Sequence, residues 1–208
     1  MNEKKHPIVM VSSSVYGQEE LLDRIYALLN RFGFEVWMSY KGTVPTNSNE
    51  ETIDSCLRAV RNCDFFLGLI TNDYGTSFHD GLSITHLEMK EAINIRKPRW
   101  FLVHEHVIFA RKLLQALMYK NAKINREDLA LKENHVFSDL RIIDLYEEAS
   151  EQVRVGKNVY VKWVQQYGQD EDAIRFATAQ FSRFQDLEAI LENQIKNIQK
   201  AADHKEGK

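Results

Sequence analysis

The sequence predicts a three-layer α/β fold, with a parallel β-sheet covered by helices on both faces and a C-terminal helical extension. Strand-like and helical patterns alternate as β-α-β-α-β-α-β over roughly the first hundred residues, and short connections join them. Residues 64–70 form an apolar run typical of a strand that a parallel sheet buries on both faces. We divide the chain into an α/β domain at 1–120 and, at 121–208, an extension that completes the domain and ends in a long helix.

The composition is that of an ordinary globular protein, and it disfavours several classes of partner. The 208 residues are 44 % hydrophobic and 27 % charged, and the net charge of −3 gives no electrostatic basis for binding nucleic acid or an anionic membrane. No apolar run approaches the roughly 20 residues of a membrane helix, and residues 1–6 lack the apolar core of a signal peptide. We therefore expect a cytoplasmic protein in which Cys56 and Cys63 are reduced core thiols.

The predicted sheet lies in the first half of the chain. In chain order its elements are a strand at 7–11, a helix at 18–31, a strand at 34–38, a helix at 49–62, a strand at 64–70, a helix at 84–96, a strand at 99–104 and a helix at 107–119. Asn49 is the expected N-cap of the second helix, and Ser83 that of the third. Pro98 ends the third helix because proline cannot continue it.

The pattern after residue 120 is less regular. Residues 141–145 predict a fifth strand, and residues 159–167 fit a helix or a strand. From 170 to about 202, apolar residues recur every three or four positions, which predicts a helix longer than one small domain usually buries. Two interpretations stay open: part of this helix pairs with another subunit and makes a homo-oligomer, or the helix folds along its own domain.

Glu88 is the residue that points most directly to a function. On a helical wheel the helix at 84–96 is apolar around most of its circumference, while His86, Lys90 and Asn94 share one narrow polar sector. Glu88 lies near the middle of the apolar arc, and Glu91 is a second candidate in that arc. A carboxylate removed from water costs several kcal/mol unless it is paired or neutralised, so we expect one of these glutamates to face a pocket. Two structural alternatives remain: Glu88 forms a salt bridge to an arginine, for instance Arg58, Arg61 or Arg96, or it is the capping-box partner of Thr85.

The expected pocket lies at the carboxyl edge of the sheet, where ligands bind in parallel α/β folds. A carboxylate there can bind ribose hydroxyls and stabilise the oxocarbenium-like transition state of glycosidic bond cleavage, so Glu88 is the predicted catalytic residue. The predicted substrate-binding residues follow the strands or flank Glu88; they are Ser12, Ser13, Tyr16, Tyr40, Tyr74, Ser83 and Thr85.

The sequence carries no signature of a metal or cofactor site. It has no Walker loop, no Gly-x-Gly-x-x-Gly motif and no Cys-x-x-Cys pair. His104 and His106 follow a strand at alternate positions, so their side chains are expected to point to opposite sides. We therefore predict neither a metal nor a cofactor.

Several motifs together resemble the TIR-like family, in particular a bacterial TIR-like domain of unknown function related to TIR NADases. They are residues 8–14, residues 35–38, residues 63–70 with Tyr74 and Gly75, residues 83–88, and Lys97 with Pro98, and the resemblance covers residues 6–112. This resemblance implies a flavodoxin/TIR-like sheet, and the wider group is similar to nucleoside 2-deoxyribosyltransferases. It places Glu88 at the catalytic glutamate, Ser12 and Ser13 in the loop that contacts ribose and phosphate, and residues 39–46 in a mobile loop.

The resemblance also implies a function. TIR enzymes cleave the nicotinamide–ribose bond of NAD, so NAD is expected as a substrate. The expected products are nicotinamide together with either ADP-ribose or a cyclic ADP-ribose-type signal in bacterial antiphage defence. Because no effector or sensor is fused to this domain, a separately encoded partner protein is expected. Two alternatives remain: a non-catalytic interaction or assembly module, and a glycosidase or transferase acting on another nucleotide.

Overall fold

The fold is seen in a computed structural model of the chain. It describes residues 6–47, 49, 51–77, 81–120, 123–124, 137, 139–150, 153–155, 158–160 and 164–183. Residues 184–202, which belong to the predicted long helix, lie outside this described part. The division of the chain at residue 120 therefore remains a prediction.

The secondary structure alternates between strands and helices through the first half of the chain. The strands are β1 (Ile8–Ser13), β2 (Glu35–Trp37), β3 (Phe65–Ile70), β4 (Arg99–His104), β5 (Tyr119–Lys120), β6 (Lys123–Ile124), β7 (Val153–Val155), β8 (Asn158–Tyr160) and β9 (Val164–Tyr167). The helices are α1 (Glu19–Arg31), α2 (Thr52–Asn62), α3 (Ile84–Asn94), α4 (Glu105–Met118), α5 (Arg141–Ser150) and α6 (Asp170–Phe181), with a 3₁₀ turn at Ser39–Lys41.

Five of these strands form one parallel sheet in the order β2-β1-β3-β4-β9. Side chains alternate between its faces, so that Met10 lies in a core with residues of α2, α3 and α5. Val9 lies on the opposite face, in a core with residues of α1 and α6. The predicted three-layer α/β fold, with a parallel sheet between two layers of helices, is therefore confirmed.

The C-terminal part of the sheet differs from the prediction. Residues 141–145 belong to helix α5 rather than to a strand, because Ile142, Ile143, Leu145 and Ala149 become buried on one helical face. A short apolar run cannot by itself distinguish the two structures. The fifth strand is β9, which lies in the segment where helix and strand were both left open.

Smaller differences concern the ends of helices. Helix α2 begins at Thr52 with Glu51 at the N-cap position, so the predicted cap at Asn49 is wrong. Helix α4 begins at Glu105, two residues before the predicted start at 107. Helix α6 begins at Asp170 as predicted, and its capping box joins Gln169 and Asp172. It ends at Phe181 with Ser182 at the C-cap position, so the predicted continuous helix from 170 to about 202 is wrong at this point.

Gly68 is the point of closest packing in the centre of the sheet. A Cβ atom at this position would lie 2.7 Å from Cδ1 of Phe101 on β4 and 3.1 Å from Cε of Met89 on α3. We expect Gly68→Ala to lower the free energy of unfolding by about 1–3 kcal/mol, because overpacking forces the buried ring out of its rotamer. Urea denaturation measures this loss, and a Phe101→Leu background should reduce it. An equal loss in both backgrounds would show that the ring contact is not its cause.

Candidate active site

Helix α3 begins at the carboxyl edge of the sheet, because it follows β3 in a parallel β-α-β unit. Ser83 caps it: its hydroxyl accepts a hydrogen bond from the backbone N–H of His86 at 3.2 Å. Met89 and Ala92 are buried in the core beneath the helix. The cap and these packed residues fix the first two turns, which carry the functional candidates.

The side chain of Glu88, which belongs to α3, is buried on the side that faces α2 and β1. Its side chain is only 4 % exposed, which agrees with its position in the apolar arc of the helical wheel. The hydroxyl of Ser12, at the end of β1, donates a hydrogen bond to Oε2 of Glu88 at 2.5 Å. Oε1 has no partner of regular hydrogen-bond geometry among the described residues, although the thiol of Cys56 lies beside the carboxylate.

Burial dominates the electrostatics of Glu88. Loss of hydration raises the pKa of this carboxyl group from 4.5 to about 7, and the hydrogen bonds from Ser12 and Cys56 oppose the shift. Within the described part of the chain, Glu88 makes no ion pair, so the arginine partners considered as its structural alternative do not neutralise it. Near neutral pH the group therefore exchanges between the acid and the carboxylate.

Glu91 has a different environment. Its side chain is 19 % exposed, and Oε1 accepts a hydrogen bond from Nε of Arg61 at 2.6 Å. This pair joins α3 to α2 on the outside of the protein. Among the described residues, Glu88 lines a cavity at the edge of the sheet, whereas Glu91 makes a partly exposed ion pair with Arg61.

The cavity beside Glu88 is small and lies where β1 and β2 end. Its volume is about 30 Å³, which is room for about one water molecule. The described residues that line it are Val11, Ser12, Ser13, Val15, Leu22, Met38, Ser39, Tyr40 and Glu88. A nucleoside can reach the carboxylate only if some of these side chains move outward.

The structure brings three of the predicted substrate-binding residues to this cavity: Ser12, Ser13 and Tyr40. The hydroxyl of Ser13 donates a hydrogen bond to the backbone carbonyl of Ser14 at 2.7 Å. Tyr16 is 80 % exposed on the loop after β1 and does not line the cavity. Thr85 is partly buried one helical turn before Glu88, and it is not a lining residue either.

Tyr74 and Ser83 belong to a second polar cluster around His86. The hydroxyl of Tyr74 is hydrogen-bonded to Nδ1 of His86 at 2.7 Å, and the guanidinium of Arg141 lies 4.6 Å from the centre of the Tyr74 ring. Tyr74 is itself buried, so its ring is occupied by structural contacts and does not reach the cavity.

The predicted polar sector of α3 requires a correction at His86. Lys90 and Asn94 are exposed as expected, but His86 is only 2 % exposed. Helix α5 packs against α3 and places Oε1 of Glu148 at 3.6 Å from Nε2 of His86. The wheel shows the polarity of a helix face, whereas the neighbouring helix decides whether that face reaches water.

Cys56 is the neighbour of Glu88 that sequence reasoning missed, whereas Ser39 begins the stretch 39–46 that was expected as a mobile loop at this edge of the sheet. Cys56 falls on the buried stripe of α2 with Ser55, Ala59 and Val60, so its burial was readable from the pattern. Its contacts with Glu88 and Ser39 depend on how α2 packs against α3. The sequence contains no signal for that contact.

The described residues contain no cluster of three or more His, Cys, Asp or Glu side chains suited to a metal ion. The imidazole rings of His104 and His106 lie with their centres 4.5 Å apart, so the expectation that they point to opposite sides is wrong. Helix α4 begins at Glu105, so the alternation of a strand does not extend to His106. The pair belongs to no such metal-binding cluster in the described part of the chain. A search for membrane spans over the same part of the chain finds no helix with the required length and hydropathy.

Three solved structures are similar to this chain at low sequence identity. A CMP N-glycosidase from Clostridium botulinum is 14 % identical, with 81 % of this chain and 95 % of that chain covered and a TM-score of 0.39. A 2-deoxyribosyltransferase from Bacillus psychrosaccharolyticus is 17 % identical, with coverage of 46 % and 72 % and a TM-score of 0.34. A deoxyribosyltransferase from Leishmania mexicana is 12 % identical, with coverage of 69 % and 97 % and a TM-score of 0.36.

The family comparison overturns the resemblance to TIR domains. No curated protein is significantly similar in sequence to this chain. The family model that matches covers residues 8–196 and is described as a domain of unknown function, DUF4062, not as a TIR domain. The shared motifs are buried strands, polar strand ends and a capped helix, which a parallel α/β sheet requires in more than one family. The chain belongs to the DUF4062 family.

Proposed function

We propose that this protein cleaves or transfers the N-glycosidic bond of a nucleoside or nucleotide, with Glu88 as the catalytic residue. The observation that carries the proposal is a buried carboxyl group without an ion pair in the described part of the chain, lining a cavity at the carboxyl edge of the sheet. A purely structural carboxylate is normally paired when it is buried. Sites that must ionise in an apolar environment are more often functional.

The chemistry follows from the carboxylate form of Glu88. When the bond between C1′ of the sugar and the base nitrogen breaks, the base leaves with the electron pair and positive charge develops on the sugar ring. The carboxylate stabilises this charge, or bonds to C1′ and forms a glycosyl ester. Attack of water at C1′ then gives the free sugar, and attack of a second base gives a new nucleoside.

The residues around the cavity have separate proposed roles. Ser12 is proposed to orient the carboxylate through its hydrogen bond, and Ser13, which lines the cavity, is proposed to bind sugar hydroxyls. Tyr40 also lines the cavity and is proposed to stack on the base once the turn at Ser39–Lys41 moves outward. Ser83 and Tyr74 hold the first turn of α3 through His86, and they act on the site from a distance.

The substrate class is wider than the one implied by the TIR resemblance. NAD contains the same type of bond and stays among the candidate substrates. The specific arguments for NAD and for an antiphage signal came from the TIR family assignment, which is wrong. Nucleosides, 2′-deoxynucleosides and nucleoside monophosphates present the same bond at C1′. We therefore propose the bond type and treat the identity of the base and phosphate as the quantity to be measured.

The test is a substrate panel followed by chromatography of the released base. The purified full chain is incubated with the four nucleosides, their 2′-deoxy forms, their monophosphates including CMP, and NAD, each with and without a second free base. Free base alone indicates hydrolysis, and a new nucleoside indicates transfer. If no substrate yields base at any protein concentration, the proposal fails and the domain is better explained as an interaction module. Homo-oligomerisation and a separately encoded effector or sensor remain proposals, which size measurement and partner capture test.

A further inference from the structure

The cavity beside Glu88 is too small for the class of substrate proposed above. Its volume is about 30 Å³, whereas pockets that bind small molecules have volumes of roughly 300–1,000 Å³. Part of the cavity wall therefore has to move before a sugar can reach the carboxylate. The packing of each wall segment indicates which part that is.

Most of the wall belongs to the packed body of the protein. Residues 11–13 lie on β1, which is hydrogen-bonded to β2 on one side and to β3 on the other. Leu22 of α1 and Met38 after β2 are buried in the core, and Val15 packs against the same core. Moving any of these side chains outward would open a hydrophobic core, which is costly.

The rest of the wall is the turn at Ser39–Lys41, which contributes its first two residues. The base of the turn is fixed, because the hydroxyl of Thr43 accepts a hydrogen bond from the backbone N–H of Met38 at 2.9 Å and donates one to the carbonyl of Val36 at 2.8 Å. Tyr40 is 38 % exposed and belongs to neither hydrophobic core. The turn can therefore swing outward from this base at little cost in packing.

Lys41 ties the turn to helix α1. Its Nζ atom lies 2.6 Å from Oδ1 of Asp23. The same ammonium group lies 5.9 Å from the ring centre of Tyr26 and 4.9 Å from that of Tyr40, within the range of cation–π attraction. Asp23 and Tyr26 are three residues apart on α1 and so lie on one side of the helix. The contacts of this one lysine hold the turn, and Tyr40 with it, against the body of the protein.

We propose that Lys41 and Asp23 form a latch that holds the turn at Ser39–Lys41 closed over Glu88, and that substrate binds when this ion pair opens. The proposal rests on the proposed function, since it takes Glu88 as the group that substrate must reach. Lys41 acts through Tyr40 and is a positioning residue. The two side chains are 28 % and 50 % exposed, and an ion pair this exposed shifts an equilibrium by a factor of about two to five. The latch changes how often the site is open without preventing it from opening.

The first measurement is the rate at which a water-soluble carbodiimide and an amine convert the carboxyl of Glu88 to an amide. These reagents, like the substrate, reach the group when the wall moves. Mass spectrometry of the peptide that contains Glu88 gives the rate relative to that of Glu20, which is exposed. Lys41→Met removes the charge and keeps a side chain of similar length, so Glu88 should react about two to five times faster. In about 1 M salt the wild type should approach this rate, because salt screens exposed charges.

Two further variants make the result specific to the latch. Asp23→Asn should accelerate the reaction as Lys41→Met does, and the double variant should be no faster than either, because both substitutions remove the same contact. The matched control is Arg24→Met, which removes another exposed ion pair of α1, with Glu171 at 3.0 Å, and should leave the rate unchanged. Equal rates in the wild type and Lys41→Met, or equal acceleration by Arg24→Met, would overturn the proposal.

The second measurement is the effect of Lys41→Met on KM once a substrate is known. If substrate binds the open form, its apparent Kd is inversely proportional to the open fraction. KM should therefore fall by the factor by which the labelling rate rises, while kcat changes by less than about twofold, because the contact between Ser12 and Glu88 is kept. A lower kcat with unchanged KM contradicts the latch. If labelling responds as expected but no compound of the panel releases base, the latch stands and the proposed glycosidic function is what fails.

Discussion

Glu88→Gln should abolish base release, with a loss in kcat of about a thousandfold, comparable to removal of a preorganised charge-stabilising group. Glutamine has the same shape, and its side-chain oxygen can still accept the hydrogen bond from Ser12. It carries no negative charge to stabilise the sugar cation and cannot form a glycosyl ester. The rate of base release at saturating concentrations of the best substrate measures the effect. KM should change much less than kcat, because substrate contacts other than the charge are kept.

The comparison variant for this loss is Glu91→Gln. Glu91 lies on the same helix three residues later, but it is paired with Arg61 on the outside of the protein. Its replacement should change kcat by less than a factor of about two, because Glu91 takes no direct part in the proposed reaction. An ion pair at the surface contributes at most about 1 kcal/mol to stability. If the two variants lose activity equally, the assignment of the catalytic role to Glu88 is contradicted. Retained turnover in Glu88→Gln would exclude Glu88 altogether.

Glu88 should also lower the stability of the fold at high pH. Its pKa is raised in the folded protein to about 7, so between pH 4.5 and about 7 the folded state binds more protons than the unfolded state. Stability contributed by the protonated group is fully present below pH 4.5 and is lost as the pH rises through about 7. The ionised group then costs about 3 kcal/mol, because its pKa lies at about 7 in the folded protein and at 4.5 in the unfolded chain.

Urea unfolding of wild type and Glu88→Gln across this pH range measures that cost. As the pH rises from 4.5 to about 8.5, the wild type should lose about 3 kcal/mol of unfolding free energy relative to Glu88→Gln. The difference, variant minus wild type, therefore becomes more positive. Glu91→Gln should show no such rise, because Glu91 is partly exposed and paired. A flat difference for Glu88→Gln would mean that the carboxyl is not desolvated, and the physical basis of the proposed site would be lost. This measurement remains informative even before a substrate is found.

The fold was largely predictable because its signals are local. The continuous apolar run of β3 and the alternation of elements indicated a parallel sheet, and the cap at Ser83 indicated where α3 begins. Residues 141–145 were assigned to the wrong element because their three apolar positions satisfy the period of a strand and of a helix alike. The choice was made by packing of α5 against α3 and α4.

The site was only partly predictable. Burial of Glu88 followed from its position on the helical wheel, since a wheel shows which side of a helix is apolar. The prediction placed Tyr74 and Ser83 in the same site as Glu88 because they are near it along the chain, yet in the structure both contact His86. Neighbouring positions on a helix point in different directions, so nearness in sequence does not place side chains in one cavity.

By itself the sequence determined the sheet class and the burial of one carboxylate. Tertiary structure alone decided what that carboxylate contacts. Ser12 and Glu88 are 76 residues apart and meet because β1 lies beside β3 beneath α3, and Cys56 joins them because α2 packs on α3. Periodicity reports which face of an element avoids water, whereas the partners on that face depend on strand order and helix packing, which are long-range properties of the folded chain.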